Sequence, residues 1–397
     1  MNGQERFIKC LKCEEVDHLP SFWMGYDTTG LFAKEFHQFL DQEDNPEIDA
    51  CFEVTKLGDM TLHNWFAKGT STIISVGGTG RPYPIIYYNR KEDRFYTKEE
   101  AKHLPDRKKN YKISAYGQIR HIAEKIGGWY YGPYFTGDEP LERMNELYAE
   151  FGAPWEIDPV DNTRSISRNI EIASEIDFPH AIKGSAPNVF EGMYGGFGPI
   201  SFARLMRKKP GNFKDIIKKY TKCSLDIEKI SLDAGHEIIQ TGDDLGQKDR
   251  ALISPKDYDE FFKPTLKARC DLAHKHSAAV YMHSCGFLEE LIPSFMDAGL
   301  DGLQSLEVPA GNDLNRIRNV VKDKMCLIGG IDTSRILSFG TPGECTHHVK
   351  SQIDAATNFD GEKLNGGYIP GPSHKLLDVP LENVKAVIDA IQKFGEK

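Results

Sequence analysis

A chain of 397 residues that is 40 % hydrophobic can bury one large core or two medium ones. Its net charge of −10, with acids and bases interleaved, argues against nucleic acid as the main partner, and no run of about 18 apolar residues offers a membrane span. The first residues, MNGQERFIKCLKCEEVD, are too polar for a secretory signal, so the expected compartment is the cytoplasm and the 8 cysteines are expected as reduced thiols.

In chain order, Cys10 and Cys13 form a lone CxxC in a predicted N-terminal helix, where packing explains them better than metal chemistry. Pro20–Met24 reads as a first strand and the region Leu57–Leu62 as a second. Residues 66–179 then lose the period and are rich in Tyr, Gly and charge, which predicts a long, folded insertion between the second and third strands. Within it, Gly77-Gly78-Thr79-Gly80 lacks the lysine of a phosphate-binding loop and reads as a hairpin or loop.

From residue 180 the pattern is regular. Short apolar runs at His180–Ser185, His236–Thr241, Ala279–His283, Gly302–Leu306, Met325–Ile331 and Gly367–Pro370 alternate with helical patterns. Such alternation means parallel strands joined by crossover helices. With the two earlier runs the count reaches eight, which predicts an α/β (β/α)8 TIM barrel filling one domain over residues 1–397. A doubly wound nucleotide-binding sheet loses support because no GxGxxG follows a strand.

The strongest chemical signal is Tyr281-Met282-His283-Ser284-Cys285-Gly286. Residues two apart on a strand point to one side, so His283 and Cys285 can grip one ion at the strand's C-terminal end, where barrel active sites lie. Imidazole and thiolate together favour zinc. The next predicted strand ends at Glu307 and the last leads to His374, which completes a four-ligand set. Asp243 and Asp244 follow the fourth predicted strand and are candidates for proton delivery or substrate positioning, although paired acids in a turn also cap helices. Trp23, Tyr26, Asp27, Glu191 and Asp332 are candidate substrate contacts; Asp332 could equally cap the next helix. The aromatic residues Trp23, Tyr26, Trp65, Trp129, Tyr130 and Tyr131 mildly favour an aromatic substrate over a small aliphatic one.

The motifs QTGDDLGQ (240–247), ISPKDYDEFFKP (253–264), YMHSCG (281–286), GLDGLQSLE (299–307), LIGGID (327–332) and GGYIPGPSHKLLDVPLENV (366–384) together resemble the uroporphyrinogen decarboxylase superfamily. Decarboxylases of that superfamily bind a substrate of many carboxylates through an arginine-rich segment near the first strand. The matching stretch here, Ser21 to Asp27, has no arginine and ends in an acid. The sequence resembles more closely the branch of zinc-dependent methyltransferases that work with corrinoid proteins. That resemblance implies zinc at His283, Cys285 and Glu307, with His374 standing where the methionine synthases among the relatives have a cysteine. It implies transfer of a methyl group from a small donor, a methoxylated aromatic being favoured, to the cobalt of a cobamide carried by a separate protein, since no DxHxxG motif is present. Methylcobamide:thiol or tetrahydrofolate methyl transfer, uroporphyrinogen decarboxylation and a non-catalytic metal- or substrate-binding barrel are the alternatives.

Overall fold

The computed structural model describes residues 1–23, 73–75, 84–89, 92–97, 100, 111–123, 127–175, 181–374, 376 and 379–396. Its strands are β1 (Ile73–Ser75), β2 (Ile86–Asn89), β3 (Arg94–Thr97), β4 (Tyr111–Ile113), β5 (Gln118–Ala123), β6 (Gly127–Pro133), β7 (Ala181–Ser185), β8 (Ile238–Gly242), β9 (Ala279–Ser284), β10 (Gly302–Ser305), β11 (Cys326–Ile331), β12 (Asn358–Phe359), β13 (Glu362–Lys363) and β14 (Tyr368–Pro372). The chain divides into two compact units. One comprises Met1–Gly78, Asn162–Ser185 and Glu228–Lys397; the other comprises Thr79–Asp161 and Ala186–Ile227.

The first unit is built on a parallel sheet in the order β1-β7-β8-β9-β10-β11-β14. The order never reverses, as it would at the switch point of a doubly wound sheet. This is a TIM-barrel-like α/β fold, as the strand–helix period predicts. Every residue of β11, CLIGGI, is buried, the mark of a parallel strand covered on both faces. The helix Leu314–Val321 buries Leu314, Ile317, Arg318 and Val321, one stripe at helical spacing, and Asp313 caps it by accepting the Arg316 N–H at 2.9 Å.

The N-terminal helix α1 (Gly3–Leu11) covers the end of the sheet where the strands begin. Gln4 Oε1 accepts the Ile182 N–H at 2.7 Å, and the Cys10 thiol donates to the Tyr368 carbonyl at 3.2 Å. The opposite end, where the strands finish, is therefore the end left for chemistry.

The first strand and the bounds of the insertion differ from the sequence reading. Residues 20–23 are not a strand: Phe22 N–H donates to the Pro370 carbonyl of β14 at 2.9 Å, and Pro20 has no N–H to extend a ladder. The second predicted strand, near Leu57–Leu62, lies outside the described residues; the strand paired in parallel with β7 is β1, inside the stretch read as insertion. The helix Thr163–Glu175 likewise belongs to the first unit, so only 79–161 of that stretch, joined by 186–227, makes the second. Three strand residues are too few to register as a period.

The second unit holds an antiparallel sheet in the order β3-β2-β4-β5-β6. Aromatic edges pack it: Phe95 on Tyr134 at 4.9 Å and Phe135 on Phe197 at 5.1 Å between ring centroids. Arg143 lies over the Tyr134 ring at 4.2 Å while pairing with Asp93 at 2.8 Å.

Candidate metal centre

β9 runs out at His283-Ser284 and the chain continues through Cys285 and Gly286. The period of two turns Ser284 away from its neighbours, and its hydroxyl accepts the Leu245 N–H at 3.0 Å. The loop after β8 is laced to the end of β9. Asp243 N–H donates to the His283 carbonyl at 3.0 Å, and Gly246 N–H to the Cys285 carbonyl at 3.1 Å. The two loops meet at Gly246 and Gly286. A Cβ on Gly246 would stand 2.5 Å from the Cys285 carbonyl oxygen; one on Gly286, whose φ is +81°, would stand 2.4 Å from the Gly246 carbonyl carbon. Only glycine permits that approach.

This lacing brings Asp244 to His283 and Cys285. Cys285 Sγ lies 3.3 Å and Asp244 Oδ1 3.5 Å from His283 Nε2, and one donor atom from each of the three falls within 4.8 Å of the others. Asp244 Oδ1 also accepts the Cys285 N–H at 3.0 Å. The other imidazole nitrogen, His283 Nδ1, bonds to Oε1 of the fully buried Gln304, its register neighbour on β10. An amide oxygen can only accept, so Nδ1 donates to it and Nε2 is the nitrogen left facing the cysteine and aspartate. A thiolate, an imidazole and a carboxylate at such separations suit a tetrahedral zinc ion with one position open. Among the described residues this is the one group of three such side chains within mutual reach.

Glu307 and His374 stand next to this set, paired with each other. Glu307 Oε1 meets His374 Nε2, and Oε2 accepts the Gly286 N–H at 2.8 Å. Burial pushes the Glu307 pKa up, but the His374 hydrogen bond and charge, with the Gly286 N–H, outweigh it and hold the carboxyl below its usual range. The same hydrogen bond raises His374 against the effect of burial. The corner is fixed by buried Asn312, whose Nδ2 donates to the carbonyls of Gly286 at 2.8 Å and Glu307 at 3.0 Å, and whose Oδ1 accepts the Leu288 N–H at 2.9 Å.

The remaining candidates scatter. Asp243 is half-buried and joins the site through its backbone. Asp332 caps the turn after β11, accepting the Arg335 N–H at 3.0 Å and pairing with its guanidinium at 2.9 Å. Trp23 is buried and its indole N–H donates to Ser21 Oγ at 2.9 Å. Glu191 belongs to the second unit, where it accepts from Asn188 Nδ2 at 2.9 Å. Tyr26, Asp27 and Trp65 lie outside the described residues. Gln304 and Asn312 were not singled out from the sequence; a glutamine inside the apolar run GLQSL was the available signal for the first.

A family model described as Uroporphyrinogen decarboxylase (URO-D) matches residues 188–394. A methylated-thiol–coenzyme M methyltransferase of Methanosarcina mazei is 23 % identical over 263 residues, 66 % of this chain and 64 % of that protein. A uroporphyrinogen decarboxylase of Chlorobium phaeovibrioides is 23 % identical over 210 residues, 51 % of this chain and 55 % of that protein. The chain thus spans between about half and just under two thirds of the length of these curated relatives. A solved structure of a methyltransferase from Methanosarcina mazei aligns over 99 % of both chains with a TM-score of 0.64 at 17 % identity, a likeness of fold. The family model takes in more than half of the residues and runs from the end of β7 through the last helix of the barrel unit, and on that match the chain belongs to the uroporphyrinogen decarboxylase family.

Proposed function

We propose that the chain is a zinc-dependent methyltransferase that moves a methyl group from a small donor, a methoxylated aromatic, to the cobalt of a separate corrinoid protein. The observation that supports it is the Asp244, His283 and Cys285 cluster at the C-terminal ends of parallel strands, in a chain whose fold matches that of a solved methyltransferase. His283, Cys285 and Asp244 would hold the metal, one thiolate and one carboxylate balancing its two charges. Bound zinc supplies Lewis acidity at the mouth of the barrel. The protein's own groups do the rest. Gln304 fixes the His283 ring and its tautomer, and the Gly246 and Gly286 contact sets the spacing between Asp244 and Cys285. His374 holds a proton at Nε2 against Glu307, from where it can pass to the departing oxygen.

The test is incubation of the purified protein with a reduced corrinoid protein and a panel of methoxylated aromatics. Methylation of cobalt changes the corrinoid absorbance spectrum; no change with any donor overturns the reading. A second reading, transfer involving a methylated thiol, is favoured by the name of the Methanosarcina mazei relative, a methylated-thiol–coenzyme M methyltransferase. Methylated thiols in the same panel separate the two.

A further inference from the structure

Below the metal cluster the barrel holds a second, unassigned set of polar groups. β7 reads Ala181-Ile182-Lys183-Gly184-Ser185, and a lysine inside so short an apolar run puts an ammonium where desolvation is expensive. Lys183 Nζ donates to Oε1 of Gln240 on β8. Gln240 is in register with Tyr281, and Gly242, two residues on, with His283. The period of two therefore puts Gln240, Tyr281 and His283 on one face. That face is the interior: a Cβ on Gly302, the register neighbour of Tyr281, would meet Leu11 of α1 at 2.8 Å, Ile328 at 3.1 Å and Tyr281 at 3.2 Å.

Two groups on this face lack suitable partners. Among the described residues no carboxylate pairs with Lys183; its hydrogen-bond partner is a neutral amide, and burial alone pushes its pKa down to about 8. The phenol of Tyr281 is fully buried, and its hydroxyl has no hydrogen-bond partner among the described residues. Native interiors seldom leave such a group unpaired without a functional reason. Lys183 is half-buried, while Tyr281 is fully buried. A strand rise of about 3.3 Å per residue sets the Gln240 and Tyr281 layer about 7 Å below His283, the depth of one substituted aromatic ring.

We propose that Lys183 and Tyr281 form a receptor for a carboxylate at the end of the substrate remote from the metal cluster. An ammonium and a phenolic O–H both donate, and a carboxylate can accept both at once. The assignment of the remote end rests on the methyl-transfer reading, but binding of the acid does not require turnover. Calorimetric titration of the purified protein with 4-methoxybenzoate and with methoxybenzene tests it. The acid is expected to bind roughly tenfold or more tightly than the neutral ether. Lys183→Met should erase that difference without changing zinc content or methoxybenzene affinity, and Tyr281→Phe should weaken the acid alone about threefold. Equal binding of acid and ether to the wild type, no binding of the acid, or a folded Lys183→Met protein with wild-type affinity overturns the proposal. If Lys183→Met does not fold, Tyr281→Phe decides: unchanged preference for the acid overturns it. Lys183-dependent acid binding in a protein that methylates no corrinoid would retain the receptor and remove the methyl-transfer reading.

Discussion

Cys285 offers the cleanest single substitution, because its backbone and its side chain do separate things. Its N–H and carbonyl lace the β8 and β9 loops through Asp244 and Gly246, while its sulfur faces His283. Cys285→Ser leaves the lacing in place and exchanges a soft thiolate for a hydroxyl that stays protonated. Zinc content should fall from about one per chain to a small fraction, with metal-free stability within about 1 kcal/mol of wild type. Full zinc in that variant, read by elemental analysis, would remove Cys285 from the site. His374 makes the complementary case. Its Nε2 is engaged by Glu307, so His374→Ala should keep its zinc and lose about tenfold to a hundredfold in turnover. Loss of the metal in that variant would restore the four-ligand set read from the sequence. The His-x-Cys pair was legible because two residues so close in sequence at a strand's end carry their own geometry. Asp244 was legible only as one of a pair of acids, since what brings it to the cysteine is a contact between two loops.

At the scale of elements, that contact depends on two glycines far apart in sequence. Gly286 combines a φ of +81° with a backbone neighbour where a Cβ would stand. Gly286→Ala should destabilise the protein by about 2–3 kcal/mol and weaken zinc retention, because the loop must move to relieve the clash and takes Cys285 with it. Urea unfolding of the metal-free variant separates the two effects; a stable protein with loosened zinc would place the strain in the loop alone. The same scale explains which strands the sequence disclosed. β8, β9, β10, β11 and β14 alternate with helices, and their runs stand out. β1 is three residues long and is recognisable only through its pairing with β7, a partner more than a hundred residues away. The segment at 20–23 meets β14 through the Phe22 N–H, and its proline has no N–H to give to a ladder.

In the barrel unit, residues 16–22 close against the last strand and helix. Val16 N–H donates to the Asn365 carbonyl at 2.9 Å, and Leu19 N–H to the Gly395 carbonyl at 3.0 Å. The anchor is Asp17, gripped by buried Arg6 of α1 through Nε at 2.6 Å and Nη2 at 2.8 Å. The Arg6 hydrogen bonds hold the Asp17 carboxyl well below the usual carboxylate range, against a smaller opposing effect of burial. A folded-state pKa below the unfolded one stabilises the fold above the unfolded value, and the stabilisation is lost as pH falls toward the folded one. With 43 % of the aspartate side chain exposed, solvent screening limits the pair to about 1 kcal/mol. Asp17→Asn should therefore melt slightly below wild type near neutral pH. The gap should narrow as the pH drops below about 4, where the unfolded carboxyl begins to protonate. Melting curves from neutral pH to about pH 3 test this. Parallel curves would mean that Asp17 closes the barrel by shape alone, and a gap that widens in acid would reverse the sign of its charge contribution.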